Sequence, residues 1–164
     1  MRTVSEKTRA NLEMQGYVGL DDESIAEFDL WLRLAPALCM TWTAIATATA
    51  SWVWIALLVP VAVIGAFRDG HPFEIVYNHG IRHLKGTRHL PPAGEPRRFA
   101  CGVASGHLAV TALAFYTGAT GLGYLLGGMM VMGAAIPTFT GFCIPSWMYG
   151  KLFGASDEDV RLAA

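Results

Sequence analysis

Two long stretches without charged side chains dominate the hydrophobic pattern of the chain. Residues 34–67 and residues 99–150 contain no Asp, Glu, Lys or Arg. As one helix, the first stretch would extend about 51 Å, which exceeds a hydrocarbon core of about 30 Å. Lipid offers backbone groups no hydrogen-bond partners, so each pass must be helical and each reversal must lie where water reaches it. The pattern therefore predicts an all-α membrane protein with four transmembrane helices in two hairpins, 34–67 and 99–150.

The charged residues are confined to the segments 1–33, 68–98 and 151–164. The middle segment carries more Lys and Arg than Asp and Glu, which marks its side of the membrane as cytoplasmic. Four passes would place both termini on that same side of a bacterial inner membrane. The formal net charge of −1 is an average over three separate segments and carries no information about nucleic acid. Nucleic acid is not among the expected partners.

Two of these cytoplasmic segments contain amphipathic patterns. Ile25, Phe28 and Leu32 recur at helical spacing after the capping residue Asp21, which predicts an amphipathic helix lying along the membrane surface. The loop 68–98 mixes apolar residues with cations, and we expect it to hold a second short surface helix. The cations expected to contact anionic lipid or partner subunits are Arg82, Lys85, Arg88, Arg97 and Arg98.

Glycine is unusually frequent in the second hairpin. Gly102 and Gly106 in the third pass, and Gly123 and Gly127 in the fourth, share GxxxG spacing, and Gly133 follows. Glycine lowers helix propensity, so this density is tolerable where it permits close contact between helices. We therefore expect the third and fourth passes to pack tightly against each other or against a partner subunit.

His107 is the one conventional acid or base within the two uncharged stretches. An ionisable side chain at membrane depth indicates a functional site by default. Its imidazole could hold a haem iron or a bacteriochlorophyll magnesium. The alternative, which we favour, is a neutral imidazole bonded to a carbonyl or a threonine of a neighbouring helix, with no cofactor bound.

The histidines of the basic loop suggest a second hypothesis. His79 and His83 would share one face of a helix and, with Glu74, could bind zinc. Gly80 interrupts that helix, and no cysteine stands nearby at ligand spacing. Interfacial histidines without a metal are therefore the favoured interpretation.

The most distinctive local sequence closes the fourth pass and reads Gly141-Phe142-Cys143-Ile144-Pro145-Ser146-Trp147-Met148-Tyr149. Shorter motifs precede it, namely Pro72-Phe73, Tyr77 and Pro96-Arg97-Arg98-Phe99-Ala100. Over roughly residues 25–150 the chain thereby resembles an uncharacterised family of small bacterial four-helix membrane proteins, the family of domain of unknown function 4395.

This resemblance implies a Gly-Phe-Cys-x-Gly-Cys pattern, whose paired thiols suit membrane thiol redox chemistry. Cys143 matches the first thiol, whereas Ser146 stands at the second cysteine position. A redox role would therefore need Cys101 or Cys39 as the second thiol.

No Ser-His-Asp arrangement, phosphate loop or metalloprotease pattern is present in the sequence. The leading hypothesis is a non-catalytic accessory subunit of a larger membrane complex, such as a bioenergetic or photosynthetic one. Its partners would be other membrane subunits and anionic lipids. The two alternatives are a thiol-redox protein that uses Cys143 and a haem or bacteriochlorophyll carrier that uses His107.

Overall fold

The computed structural model describes residues 4–68, 71–85 and 88–154, with residues 81, 84 and 85 described by their backbone alone. All regular structure in these ranges is helical, so the predicted all-α class is confirmed for them. The helices are α1 Glu6–Met14, α2 Asp22–Ala48, α3 Trp52–Phe67, α4 Pro72–Val76, α5 Arg82–Lys85, α6 Glu95–Tyr116, α7 Thr120–Thr140 and α8 Ile144–Phe153, and a π-helical segment, Tyr77–Ile81, joins α4 to α5.

The residues predicted to form an amino-terminal surface helix and a separate first pass form one continuous helix, α2, which corrects the expected break near residue 33. Asp21 caps α2 by accepting a hydrogen bond from the Ser24 amide, and an ion pair of 2.9 Å between Arg33 and Asp29 crosses the expected break. The apolar stripe of this helix does not face lipid. Ile25, Phe28 and Leu32 are buried in a core with residues from other segments, Leu12, Tyr17, Tyr77 and Leu90.

The long helices pair across the two hairpins. The most extensive contacts join α3 to α6 and α2 to α7, and α6 also packs against α7 and α8. The expected contact between the third and fourth passes, α6 and α7, is present, although it is less extensive than the contacts of α3 with α6 and of α2 with α7. A second core lies between these helices and is formed by small and branched side chains and one aromatic ring, Ala46, Ile55, Leu58, Ala62, Leu108, Ala112 and Phe115.

Two helices, α6 and α7, are long and apolar enough to cross a membrane. Helix α3 is very apolar but has only 16 residues, about 24 Å of helix. It reaches the necessary length only together with the segment Pro72–Gly80, from which it is bent by 77°. The first half of α2 is charged. By length and composition, the described part of the chain therefore holds two spans, or three if the bent pair counts as one.

The carboxyl end of α7 is capped by side chains from the amino-terminal helices. Gly141, at φ 72°, ends the helix in the left-handed conformation, which glycine adopts without strain. The carbonyls of Phe139, Thr140 and Gly141 accept hydrogen bonds from Arg33, Asn11 and Gln15, at 3.1, 3.1 and 2.8 Å. These are carbonyls for which a helix end has no internal partner, so the cap fixes α1 and α2 over the end of α7.

The contact between α2 and α7 depends on Gly127. A Cβ atom at this position would lie 2.6 Å from Thr47 Cγ2, whereas a Cβ atom at Gly128 would have no heavy atom within 4 Å. We expect Gly127→Ala to lower the free energy of unfolding by about 1–3 kcal/mol, because α2 and α7 must separate. Thermal or denaturant unfolding in detergent measures the change.

The neighbouring substitution Gly128→Ala is the matched control. It adds the same methyl group to open space and improves helix propensity by up to about 1 kcal/mol. If both variants unfolded at the same midpoint, the close approach of Thr47 to Gly127 would be contradicted.

Candidate functional site

The largest concentration of buried polar groups surrounds Arg97, in the first turn of α6. We call Gln15, Tyr17, His71, Glu74 and Arg97 the Arg97 cluster. The guanidinium donates to Glu74 Oε1 at 2.5 Å and to Gln15 Oε1 at 3.0 Å, and it lies 5.5 Å from the centroid of the Tyr17 ring. Arg97 and Glu74 are only 9% and 3% exposed. The cluster joins α6, α4 and the segment after α1.

The sequence around each member explains its position. His71 caps α4, Pro72 occupies the first turn, and Glu74 Oε2 accepts a hydrogen bond from the His71 amide at 3.0 Å. This capping box leaves Glu74 Oε1 free to accept from Arg97. Pro36 has no amide hydrogen to donate to the carbonyl of Leu32 within α2, and that carbonyl accepts from Arg97 instead, at 3.0 Å.

A charged pair at this burial is stable only if its remaining polar atoms are satisfied. Arg97 meets this condition through a carboxylate, an amide oxygen and a carbonyl. Tyr17 Oη, by contrast, is buried with no hydrogen-bond partner among the described residues. Burial raises the pKa of the Tyr17 phenol, and the nearby Arg97 opposes that shift. The tyrosine therefore contributes its ring face to the guanidinium, not an ionised oxygen.

His71 borders the cluster as a neutral imidazole. Its Nδ1 accepts a hydrogen bond from the Phe73 amide, and burial lowers its pKa to about 4, because a buried imidazolium would lose hydration. Its Nε2 lies 4.0 Å from Cys39 Sγ. A methyl group added at Gly65 would lie 3.1 Å from Cys101 Sγ and 2.9 Å from His71 Cδ2. Cys39 thus approaches this ring, and Cys101 and the ring both lie close to Gly65.

The remaining thiol, Cys143, lies at the amino-terminal cap of α8. All three cysteines are free. At the position where the resembling family pattern has its second cysteine, Ser146 is fully buried and its hydroxyl donates to the carbonyl of Pro96 at 3.1 Å. The serine therefore fastens α8 to the start of α6.

Of the two histidines considered for a zinc site, His79 and His83, the first has another contact, and so does His89 of the same loop. The Nδ1 atom of His79 lies 2.9 Å from the carbonyl of Ile75, and that of His89 lies 2.6 Å from the carbonyl of Leu90. Within the described ranges, no group of three or more His, Cys, Asp and Glu residues has the arrangement of a metal site. Glu74 is committed to Arg97 and to the capping box.

His107 links α6 to α7. Its Nε2 lies 2.8 Å from the carbonyl of Leu126, and its own backbone carbonyl accepts from Thr111 Oγ1 at 2.8 Å. Axial coordination of a haem iron or a bacteriochlorophyll magnesium through Nε2 would require this interhelix hydrogen bond to break. The geometry is that of an imidazole used to position two helices.

The five glycines predicted for helix packing fall into two groups. Gly123 and Gly127 allow close approach, with Phe115 Cδ1 lying 2.7 Å from a Cβ atom placed at Gly123. Gly102 has ordinary contact with Ala66, and Gly106 and Gly133 have no heavy atom within 4 Å of a Cβ position. A pair that the sequence analysis missed, Gly16 and Gly94, brings the backbone after α1 against the backbone before α6.

Among the cations of the basic loop, Arg97 differs most from expectation. It is buried, so the prediction that it contacts lipid or a partner subunit was wrong. Arg98 donates to the carbonyls of Ala66 and Phe67 at the end of α3. Arg88 pairs with Glu23 at 3.6 Å and donates to Ser24, and Arg82 is half-buried. The side chain of Lys85 lies outside the described residues. Several cations thus satisfy carbonyls and carboxylates of the chain itself.

Sequence reasoning also missed Gln15 and Tyr17 as members of the cluster, since both contact residues far away in the chain. A local signal existed for Glu74 alone, because it stands three residues after the helix-capping His71 and follows Pro72.

Glu74→Gln should lower the free energy of unfolding by about 3 kcal/mol or more, because it leaves the Arg97 guanidinium buried without a counter-ion. Glu23→Gln is the matched control, since it breaks the exposed pair with Arg88 and should cost at most about 1 kcal/mol. Denaturant unfolding in detergent compares the two. Equal losses would show that the buried pair has no special role.

Acidification should destabilise the protein through His71. Between pH 6.5 and about 4 the unfolded state binds more protons at this residue than the folded state, so the free energy of unfolding falls as the pH falls, by up to roughly 3 kcal/mol. In His71→Asn the cap acceptor is retained, and the difference between the two pH profiles isolates the imidazole. Parallel profiles over this window would contradict the assignment.

A family model described as Domain of unknown function (DUF4395) matches residues 30–153, more than half of the chain. No match was found among the curated proteins or among the solved structures.

Proposed function

The chain belongs to the family described as Domain of unknown function (DUF4395), and from this premise we propose that it is a non-catalytic accessory subunit of a larger membrane complex. The complex would lie in the bacterial inner membrane and be bioenergetic or photosynthetic. Its partners would be other membrane subunits and anionic lipid headgroups.

The proposed topology has four spans, with α3 and the apolar part of α2 added to α6 and α7. Both termini and the loop between α3 and α6 would lie in the cytoplasm, where the loop cations are expected. The short α3 is compatible with this topology, because a short span can be accommodated by local thinning of the bilayer. The turns after α2 and α6 would face the opposite side.

The observation that carries the proposal is the unused glycine surface of α6 and α7. Gly106, Gly128 and Gly133 are exposed, and no heavy atom of the described chain lies within 4 Å of a Cβ position at any of them. Glycines inside membrane helices favour close contact between backbones. Here the described chain supplies no such neighbour for these three positions, so a helix of another subunit is the proposed one.

The Arg97 cluster supports a structural role for the cytoplasmic side. A catalytic group needs access to a substrate and free hydrogen-bonding capacity. Arg97, Glu74 and Gln15 are buried, and their charged or amide groups are used in contacts between helices. His107 is likewise engaged with the carbonyl of Leu126.

Gly106→Leu should abolish co-purification with the partner subunits in mild detergent while the protein itself remains folded, because the added side chain meets open space within the chain. Gly150→Leu is the matched control, since it also adds leucine at an open position but lies on α8. Affinity purification followed by identification of the retained proteins measures the effect. Unchanged co-purification of Gly106→Leu would contradict the proposed surface, and loss with both variants would contradict its location on α6.

A further inference from the structure

Helix α8 has one face fastened to the start of α6. On this face Ser146 donates to the carbonyl of Pro96, and the Tyr149 hydroxyl donates to Glu95 Oε2 at 2.7 Å. The rings of Tyr149 and Phe153 lie 5.5 and 6.0 Å from the ring of Phe99, measured between centroids. The position of α8 relative to α6 is therefore fixed by polar and aromatic contacts together.

The opposite face of α8 is apolar and exposed. Ile144, Trp147, Met148 and Leu152 recur at spacings of three and four, which places them on one side of a helix, and they are between 39% and 66% exposed. Lys151 is also exposed and falls within the same stripe. We call these five residues the outer face of α8.

The contacts also locate α8 at one end of α6. Its hydrogen bonds and ring contacts run from Ser146 to Phe153 and meet α6 between Glu95 and Phe99. Helix α8 is therefore attached to α6 at the start of that helix. It begins at Ile144, a few residues after α7 ends at Thr140, so it lies at the ends of both candidate membrane spans.

We propose that α8 is an interfacial helix whose outer face rests in the inner leaflet of the bilayer, at the boundary between headgroups and acyl chains. The proposal goes beyond the accessory-subunit role, and it rests on the proposed topology only in that α6 and α7 cross the membrane with the start of α6 on the cytoplasmic side. Tryptophan is favoured at this depth. Aliphatic side chains on the same stripe would enter the acyl region, as in other helices that lie in the membrane plane.

Lys151 distinguishes lipid from a protein partner as the occupant. Charged residues are depleted from the centres of protein interfaces, and burial of this ammonium in the middle of an apolar stripe would cost its hydration. At a bilayer surface the aliphatic stem packs among apolar groups while the ammonium remains among the headgroups. The composition of the outer face therefore matches lipid.

The test uses the full-length protein in vesicles of phosphatidylcholine and phosphatidylglycerol. Some of the phospholipid is brominated on its acyl chains, either near the headgroup or near the terminal methyl group. The difference in fluorescence between the unchanged protein and the Trp147→Phe variant gives the contribution of Trp147. Its quenching by shallow bromine should exceed quenching by deep bromine by about twofold or more, and aqueous iodide should quench it weakly. Phenylalanine at this exposed position keeps the contacts of the inner face.

Three results would overturn the proposal. Stronger quenching by deep bromine would place Trp147 at the level of the acyl-chain ends. Quenching by iodide alone would place it in water. Protection from both quenchers would mean that protein covers the outer face, either another copy of the chain or a different subunit.

A second variant tests the stripe without removing the tryptophan. In Leu152→Glu the added carboxylate should lift the outer face from the lipid, which shifts Trp147 emission to longer wavelength and increases its quenching by iodide. Lys151→Gln is the matched control and should leave both signals unchanged. If Leu152→Glu changed neither the emission wavelength nor the quenching by iodide, this result would also contradict the lipid contact.

Discussion

The structure depends on a buried guanidinium. Arg97 stands at the start of α6, and its partners come from the segment after α1, from α2 and from α4. Any one of these partners alone would leave some N–H groups of Arg97 without a hydrogen bond, in a site that water does not reach. Because all of them are needed at once, the segment after α1, helix α2 and helix α4 are held in one arrangement relative to α6. The Arg97 guanidinium that holds these segments in place also makes their arrangement sensitive to the loss of any one partner.

The helix ends and the helix bundle are stabilised by different kinds of contact. At the end of the bundle where α3 and α7 terminate, side chains far away in the sequence donate to the last carbonyls of both helices, which have no hydrogen-bond partner within a helix. The bundle of α2, α3, α6 and α7 is instead held by small side chains and by close approach at Gly123 and Gly127. Surfaces that neither set of contacts uses remain on α6, α7 and α8. This division is the basis of the proposed role as a subunit that binds neighbouring proteins.

The positions of the long helices, and the ability of two of them to cross a membrane, could be predicted from the amino-acid sequence. These properties are local, since an uncharged run of sufficient length in lipid can satisfy its backbone only as a helix. The family was also predictable, through motifs around Pro96 and Gly141. The apolar stripe of Ile25, Phe28 and Leu32 was also predictable, but the prediction that it lies on the membrane surface was wrong, because it packs in a protein core.

The helix partners and the roles of the polar residues, by contrast, depend on tertiary contacts. The pairs α2 with α7 and α3 with α6 depend on which faces meet, and hydropathy does not contain that information. Arg97 and Gln15 are 82 residues apart in sequence, so a cation predicted to contact lipid becomes the centre of a buried cluster. Likewise, the placement of α8 follows from the fit of Ser146 and Tyr149 onto the first turn of α6, a contact that exists only once both helices are in place.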